Sequence, residues 1–413
     1  MFKSFLLAAL LPAMVLAQNA STVEGLAQHL SSIGLTNLAT LVTTVNASGV
    51  GQSLLANISN GEPHLLFAPS NQAITSAPSN ITSDPGRLTD VFGYHIVPGN
   101  FSNSTTNYPN VTLGRTLLTD PTLVHLEGGN KAQVVAWAVR ADGKTHVLNQ
   151  RNDSTVTNTS SFGNITIWTV DHILVIPENF EATIPTNTES LTGVETILRN
   201  VQTPVFDASS NQTSNTTLFN AINDAWHGFT FFAPNTDAVN AAQSSIQSLA
   251  SNATAVQNVL YNHIINGTTL YSPLLAGQNY TSTAGEGLSF SINSTGQYVT
   301  SGNVTARIVQ PDVLLPNGVI HVIDRVLLNT ESNSGAASSA IASATSAATA
   351  RPTETQPIGF SQTATLQPSG TGGAGSNGSG NSSGAVAGPG MNVIYSLAVT
   401  FVGVVVGAIV TVA

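Results

Sequence analysis

Phe67-Ala68-Pro69-Ser70-Asn71-Gln72-Ala73 and Phe232-Ala233-Pro234-Asn235-Thr236-Asp237-Ala238 are two versions of one heptapeptide. Each is followed by a histidine, His95 or His263, and then by an aspartate inside an apolar run. Three landmarks that recur in the same order are typical of a duplicated domain. The sequence therefore predicts two copies of one module.

The spacing of these landmarks differs between the copies. His95 precedes Asp171 by 76 positions, whereas His263 precedes Asp324 by 61. The longer interval predicts an extra loop or hairpin in the first copy, near His125 to Ser161. If one copy carries a specialised contact, we expect it in this extra segment.

Composition and charge indicate an exported protein without a basic surface. The 413 residues include no cysteine, and only 8% are charged, with a net charge of −10. Disulfides and thiolate chemistry are therefore excluded. A nucleic-acid-binding protein needs a cluster of cations, which this chain lacks.

Both ends of the chain resemble targeting signals. Residues 1–17 have an early cation and an apolar stretch, which is typical of a cleaved secretory signal peptide. Residues 393–413 are apolar and long enough to cross a bilayer, but no cation follows them. We expect a GPI signal with attachment at Asn381, Ser382 or Ser383; the alternative is a retained transmembrane helix. Both place the protein at the extracellular face of the plasma membrane or in the cell wall.

The chain is rich in Asn-x-Ser/Thr sequons, which are acceptors for N-linked glycans in a secreted protein. Nineteen can be counted, seventeen of them before residue 332. We expect these asparagines to lie on the surface. The seventeen candidates are Asn19, Asn46, Asn57, Asn80, Asn100, Asn103, Asn110, Asn152, Asn158, Asn164, Asn211, Asn215, Asn252, Asn266, Asn279, Asn293 and Asn303.

The pattern along the chain predicts two α+β modules, at residues 22–180 and 188–331, joined by a connector at residues 177–193. Residues 332–392 are dominated by Ser, Thr, Ala and Gly, which predicts a disordered, O-glycosylated stalk. Each module starts with apolar residues at helical spacing, at residues 38–45 and 194–201. Thr36 or Asn37, and Ser190 or Thr192, are available as helix caps.

Strands are expected later in each module. Residues 288–292, 305–309 and 319–328 are rich in β-branched residues and are bounded by Gly, Pro or Asn. Helices first and strands later, without regular alternation, favour an α+β fold over a doubly wound sheet.

With these motifs in view, the chain resembles the fasciclin (FAS1) family over nearly all of its predicted folded part. Family members carry a Phe-Ala-Pro-Thr-Asn-x-Ala motif, a Tyr-His motif and a motif like Asn-Gly-x-Ile-His-x-Ile-Asp-x-Val-Leu. Residues 317–327 fit the last form closely. The first copy departs from this form, because Trp168 stands where the second copy has His321. The second copy departs from the Tyr-His motif, because Asn262 takes the place of Tyr94 before the motif histidine.

The resemblance implies a compact α+β wedge in which helices surround two short sheets, and a role in adhesion or matrix contact. The matching positions serve either the fold or partner contact; they are Phe67, Ala68, Pro69, Asn71, Tyr94, His95, Asp171, Phe232, Ala233, Pro234, His263, His321 and Asp324.

From the residues themselves, a structural role is favoured for the motif histidines. Each precedes an apolar pair, and a buried imidazole needs a hydrogen-bond partner, which an aspartate or a backbone group of the final strand could supply. Partner contact and catalysis are the alternatives. The proline turn after Phe67 or Phe232 suits a helix cap at Asn71 or Thr236, and a ligand pocket there is a further alternative.

No catalytic, metal or cofactor site is predicted. No nucleophile with an adjacent base can be identified, and no spacing of His, Cys or Asp suits a metal. The sequence lacks Arg-Gly-Asp. We therefore expect a non-enzymatic adhesion glycoprotein with protein or glycan partners. The alternatives are a structural wall component without a specific ligand and, more remotely, an extracellular carbohydrate-active enzyme.

Overall fold

The fold is described from a computed structural model. It describes residues 23–348, apart from 80, 82–83, 102–103, 130, 149–151, 208–211 and 277, together with residues 356–359. The predicted signal peptide, the apolar segment 393–413 and the attachment candidates Asn381, Ser382 and Ser383 lie outside the described residues.

The first module begins with helices and continues into a sheet. Residues 23–32 form α1, which is followed by α2 (Thr36–Asn46), α3 (Gly49–Ile58), α4 (Asn71–Thr75) and α5 (Pro85–Tyr94). The strands are β1 (His64–Pro69), β2 (Ile96–Pro98), β3 (Thr112–Arg115), β4 (Val134–Val139), β5 (Thr145–Val147), β6 (Ser154–Phe162) and β7 (Ile165–Val170).

The second module repeats this order with additions that include the hairpin β8–β9 and the helix α12 after the last strand. Its helices are α6 (Phe180–Thr183), α7 (Thr192–Leu198), α8 (Leu218–Asn220, continuing as a π-helical turn), α9 (Thr236–Ala241), α10 (Gln243–Leu249), α11 (Ala253–Tyr261) and α12 (Ser334–Ala348). Its strands are β8 (Gln202–Asp207), β9 (Gln212–Thr217), β10 (Phe229–Pro234), β11 (Ile264–Asn266), β12 (Asn279–Thr281), β13 (Gly287–Asn293), β14 (Gly296–Ser301), β15 (Val304–Leu314) and β16 (Val319–Ile323).

The two main sheets share one topology. The strand orders are β2-β1-β7-β6-β5-β4-β3 and β11-β10-β16-β15-β14-β13-β12, so seven strands of each module form one continuous sheet rather than two short sheets. Strands β8 and β9 of the second module form a separate two-stranded sheet. The strand that carries the Phe-Ala-Pro motif pairs in parallel with the last strand of its module, β1 with β7 and β10 with β16. The predicted α+β fold and duplication are therefore confirmed.

The motif strands are buried on both faces, which explains why their sequences are apolar without alternation. Leu66 and Ala68 pack against the helices, whereas Leu65 and Phe67 pack into the opposite core with Trp137. Parallel strands need cover on both faces. The helices before β1, together with α5, cover one face, and residues of the long connection between β1 and β7 cover the other.

The modules contact each other, a point that the sequence left open. The His125 N–H donates to the Pro316 carbonyl (2.7 Å), and Gln133 Nε2 donates to the Leu315 carbonyl (3.0 Å). Across the same seam, Thr269 donates to the buried carboxylate of Glu127 (2.6 Å). A shared apolar cluster includes residues of β3 and β4 together with Leu314 and Val319 of the second module.

Several boundaries differ from those predicted. Helix α7 ends at Leu198, so Val201 lies beyond it, and β16 ends at Ile323, not at Leu328. Helices α2 and α7 begin after Leu35 and Leu191, and neither residue supplies a side-chain cap. The predicted caps at Thr36, Asn37, Ser190 and Thr192 are wrong because side chains from a distant turn occupy that role.

The segment predicted as a disordered stalk begins with structure. Helix α12 packs beside β12, and the Asn333 N–H before it donates to the Ala284 carbonyl (2.7 Å). Further on, Ile358 is buried in the shared apolar cluster with Tyr271, and its N–H donates to the Leu113 carbonyl (2.9 Å). For residues 334–348 and 356–359 the prediction of disorder is wrong, because alanine favours helix formation and Ile358 fills the seam.

We expect Ile358→Ala to lower the free energy of unfolding by ~2–3 kcal/mol, because it removes a side chain that is 3% exposed from the seam between the modules. The control is Ile341→Ala on α12, where the side chain is 42% exposed and the change should stay below ~0.5 kcal/mol. Urea unfolding of both variants measures the difference; equal stabilities would contradict the anchoring role of Ile358.

Candidate functional site

The motif phenylalanines organise the core of each module. Phe67 meets Trp137 and Trp168 edge-on, with ring centroids 5.5 and 5.7 Å apart. Phe232 stacks on His321 at 5.4 Å. Trp168 and His321 face these phenylalanines at equivalent positions in the parallel ladder. At this position the first module therefore places the indole of Trp168 in its core, where the second module places the imidazole of His321.

The residue after the proline turn caps the following helix. Ser70 accepts from the Ala73 N–H and Asn235 from the Ala238 N–H. The cap predicted at Asn71 or Thr236 is thus one position too late. A serine or asparagine with extended backbone reaches the N3 amide, which leaves the next residue inside the helix.

Asn71 and Thr236 instead cap a helix that lies far away in sequence. Asn71 Oδ1 accepts from the Asn37 N–H at the start of α2 (2.9 Å), and Thr236 Oγ1 accepts from the Gly193 N–H at the start of α7 (3.1 Å). Asn71 Nδ2 also donates to the Gly34 carbonyl (2.9 Å). The same position thus performs the same task in both copies with different side chains.

The motif histidines form a second duplicated contact. In each, Nδ1 donates to the carbonyl four residues earlier, His95 to Val91 and His263 to Val259, both at 2.7 Å. The Nε2 atoms accept from the Leu174 and Leu327 N–H groups, both at 2.9 Å. Each imidazole joins the end of a helix to the chain that follows the last strand.

Both imidazoles are fully enclosed and neutral. Burial lowers the pKa of His95 and of His263 to about 4, although the carbonyl bonds oppose the shift. Their partners are backbone groups and not the motif aspartates.

The aspartates close the hairpin that ends each module. Asp171 Oδ1 accepts from the Thr155 N–H (2.7 Å), and Asp324 Oδ1 accepts from the Arg307 N–H (2.8 Å). Burial acts to raise the pKa of Asp171, but hydrogen bonds from Thr155 and His172 hold it below its usual value. Asp171 and Asp324 lie in separate modules, and each carboxylate accepts a backbone hydrogen bond from its own module.

His321 belongs to a buried polar cluster that the sequence did not reveal. Its Nε2 donates to the Leu270 carbonyl (2.8 Å), and its Nδ1 accepts from the Asp312 N–H (3.3 Å). Asp312 has a left-handed φ of 56° and accepts from both the N–H and the hydroxyl of Ser272. Burial raises the pKa of Asp312 and lowers that of His321.

These contacts limit what the motif residues can do chemically. His95, His263 and His321 are at most 2% exposed, and each uses both ring nitrogens on the backbone. A general acid or base must reach the proton of a substrate, which these rings cannot do. In the described residues there is also no group of three or more His, Asp or Glu side chains that could hold a metal ion.

Asn262, which stands in the position of Tyr94, fastens the end of the second module. Its Nδ2 donates to the carbonyls of Asn329 and Glu331, both at 3.0 Å, and its Oδ1 accepts from Ser282 (2.7 Å). Tyr94 is instead an apolar core residue of the first module, at 0% exposure.

An open cleft lies between the modules. The space between its walls is about 700 Å³, which includes space open to solvent. The cleft is lined by residues next to β4, β5 and β6 of the first module, by the connector and by the bulged strand β15. Arg140 Nη2 and Nε donate to Asp153 Oδ2 at 2.6 and 2.9 Å, and the guanidinium lies 4.2 Å above the Tyr108 ring. We refer to it as the inter-module cleft.

The far wall of the inter-module cleft carries two side-chain amides. Gln310 Nε2 donates to Asn187 Oδ1 (3.0 Å), and Asn187 Nδ2 donates to the Glu189 carbonyl (2.8 Å). Arg140 and Asp153 lie in the extra segment of the first copy. That segment was predicted, but the presence of Asn187 and Gln310 in the same cleft was not, because no local pattern connects residues so far apart.

The family profile of the fasciclin domain matches residues 36–177 and 205–329. The chain belongs to the fasciclin family. It is 27% identical over 279 residues to a fasciclin-like arabinogalactan protein of Arthroderma benhamiae, covering 67% of this chain and 59% of that protein. It is 34% identical over 103 residues to protein sll1483 of Synechocystis, covering 24% and 54%.

Among solved structures, a FAS1 domain pair from the insect cell adhesion molecule Fasciclin I aligns with 72% of this chain and 98% of its own length. The sequence identity is 16% and the TM-score is 0.33.

Thirteen predicted sequon asparagines fall in the described residues. Eleven are exposed, and Asn46 and Asn266 are half-buried. Asn19, Asn80, Asn103 and Asn211 lie outside the described residues. The surface position suits glycan attachment, and occupancy stays a prediction. In the described part of the chain, no helix is long and apolar enough to cross a membrane.

The neutral histidines predict a specific pH dependence. Above about pH 6.5 the imidazole is neutral in the folded and unfolded states; between about pH 6.5 and pH 4 only the unfolded chain takes up the proton. Each histidine should therefore lower the free energy of unfolding by ~1.4 kcal/mol per pH unit as the pH falls through this window.

His95→Gln and His263→Gln test this, since glutamine does not titrate. Between about pH 6.5 and pH 4, the slope of unfolding free energy against pH should be smaller than the parent's by ~1.4 kcal/mol per pH unit in each single variant. In the double variant the decrease should be twice as large. Slopes identical to the parent's would contradict the buried neutral imidazoles.

The distant caps give a second prediction. Asn71→Ala should lower the free energy of unfolding by ~1–2 kcal/mol, because the Asn37 N–H loses its acceptor. Asn71→Asp keeps an acceptor oxygen and should recover part of the loss, while Gln72→Ala, at an exposed neighbouring position, is the control. Thermal unfolding measures all three; a loss for Gln72→Ala equal to that for Asn71→Ala would count against the cap.

Proposed function

We propose that the protein is a non-enzymatic cell-surface glycoprotein that mediates adhesion or contact with the cell wall or matrix through its two fasciclin modules. The observation that carries the proposal is the use of the motif side chains. All three motif histidines are buried in backbone contacts, so binding falls to the surfaces that the paired modules expose.

Three further features support a position outside the cell. The exposed sequons would carry glycans, the first residues resemble a secretory signal, and residues 393–413 resemble a GPI signal. The Arthroderma relative is named a fasciclin-like arabinogalactan protein. We propose GPI anchoring at the plasma membrane, with partners among surface proteins or glycans.

Weak contacts suffice for such a role. Many tethered copies on one surface gain avidity, because each additional contact forms at high effective concentration. A binding surface of modest affinity on each copy can therefore hold a cell to its neighbour or to the wall.

Deletion of the gene tests the proposal. We expect cells without the protein to attach or aggregate less, and re-expression of the full chain to restore attachment. Release of the protein from intact parental cells by a phosphatidylinositol-specific phospholipase should show that it is GPI-anchored and exposed, and should reduce attachment in the same way.

Unchanged attachment, with the protein released from the parental surface, would refute the adhesive role and favour a structural wall component. Protein that stays with the membranes after phospholipase treatment would refute the GPI anchor alone.

A further inference from the structure

The inter-module cleft combines features that single out one class of ligand. Its polar groups come from three separate parts of the chain: the extra segment of the first module, the connector and β15. The cleft therefore exists only when both modules are paired. A concave site with a few converging polar groups on an apolar wall is the usual form of a small-molecule site.

The charges in the cleft disfavour an anionic ligand. The Arg140 guanidinium is held by two hydrogen bonds to one oxygen of Asp153 and lies over the Tyr108 ring. A phosphate or carboxylate would have to displace the Asp153 carboxylate from Arg140. A neutral ligand meets no such competition.

The remaining hydrogen-bonding capacity suits hydroxyl groups. Asp153 uses Oδ2 for Arg140, and its Oδ1 accepts no hydrogen bond from the described residues. Each amide of Asn187 and Gln310 has a second N–H beyond the contact it makes. Carboxylate and amide edges can pair with adjacent hydroxyls, which both donate and accept.

The apolar wall completes the match. Ile176, Pro177, Pro311 and Val313 line the cleft beside the polar groups. A sugar ring has apolar C–H faces and a hydroxyl edge, and so needs both kinds of wall together. Arg140 and Asp153 are about one-third and one-quarter exposed, so a ligand can reach them from solvent.

We propose that the inter-module cleft binds a neutral sugar residue of a cell-surface or wall glycan, with Asp153, Asn187 and Gln310 as its hydrogen-bonding groups. The proposal rests on the adhesive function above and names its ligand class. A sugar that touches both modules would also stabilise their pairing, because ligand binding to the folded state raises its stability.

Calorimetry on the purified full-length glycoprotein tests the site. The probes are glucose, mannose, galactose and N-acetylglucosamine, with glucuronate as the anionic comparison. We expect at least one neutral sugar to bind saturably at about 10 mM or below and to raise the melting temperature, and glucuronate not to bind. The Asn187→Ala, Gln310→Ala double variant should bind at least tenfold more weakly.

Two further variants keep the test informative. Thr188→Trp places a large ring at the mouth of the cleft, at an exposed connector residue, and should block binding even if the double variant misfolds. Gln247→Ala, on the exposed surface of α10, is the matched control and should bind as the parent does. Wall polysaccharide fragments and free N-glycans, used as competitors, should show which source carries the preferred sugar.

The absence of saturable binding by any of the neutral sugars would overturn the proposal, as would binding that survives Thr188→Trp. Cells that lose attachment on gene deletion while the cleft binds no sugar would retain the adhesive function and refute only the cleft. Sugar binding to the cleft without any adhesion defect on gene deletion would retain the cleft as a sugar-binding site and refute the adhesive function.

Discussion

The structure of each module depends on a neutral imidazole placed between a helix end and the chain beyond the last strand. The parallel pairing of the Phe-Ala-Pro strand with the last strand brings these two segments together, and the histidine joins them with one donor and one acceptor. A charged ring would lose the acceptor at Nε2 and would remain buried without a counter-ion. The duplication preserves this contact with nearly identical distances, although the spacing between the landmarks differs by fifteen residues.

Much of this arrangement could be predicted from the sequence, because its determinants are local. The helix at residues 38–45, the apolar motif strands and the burial of His95 and His263 all follow from residue patterns of a few positions. The partners of those histidines could not be identified, since Leu174 and Leu327 contribute backbone N–H groups that any residue possesses. The helix caps were predicted wrongly for a similar reason. Asn71 Oδ1 accepts from the Asn37 N–H, and no short-range pattern connects these two residues.

The inter-module contacts could not be predicted from the sequence, for a more general physical reason. Several of them use backbone carbonyls, such as Pro316 and Leu315, as acceptors, so no residue type marks them in advance. Close approach also matters at Gly228, where an added Cβ would lie 2.4 Å from the Cβ of Glu127. Its positive φ of 74° favours glycine as well. The extra segment, where we expected a specialised contact if either copy carries one, lies at this seam. Such a contact stays a prediction, and its sugar-binding role stays a proposal.

The use of backbone acceptors has a consequence for how the two copies can diverge. A seam held by backbone carbonyls, one apolar cluster and buried side chains such as Gln133, Glu127 and Thr269 tolerates change in the exposed side chains around it, because those exposed side chains contribute little to pairing. Residues that line the inter-module cleft can therefore vary with less effect on the pairing than residues in the module cores, where Phe67 and Phe232 contact several partners each. Fixed pairing then provides a rigid frame, and a cleft at the seam can change its ligand preference without changing the fold. In this chain the buried motif residues thus form the scaffold, and the exposed residues of the cleft form the variable surface.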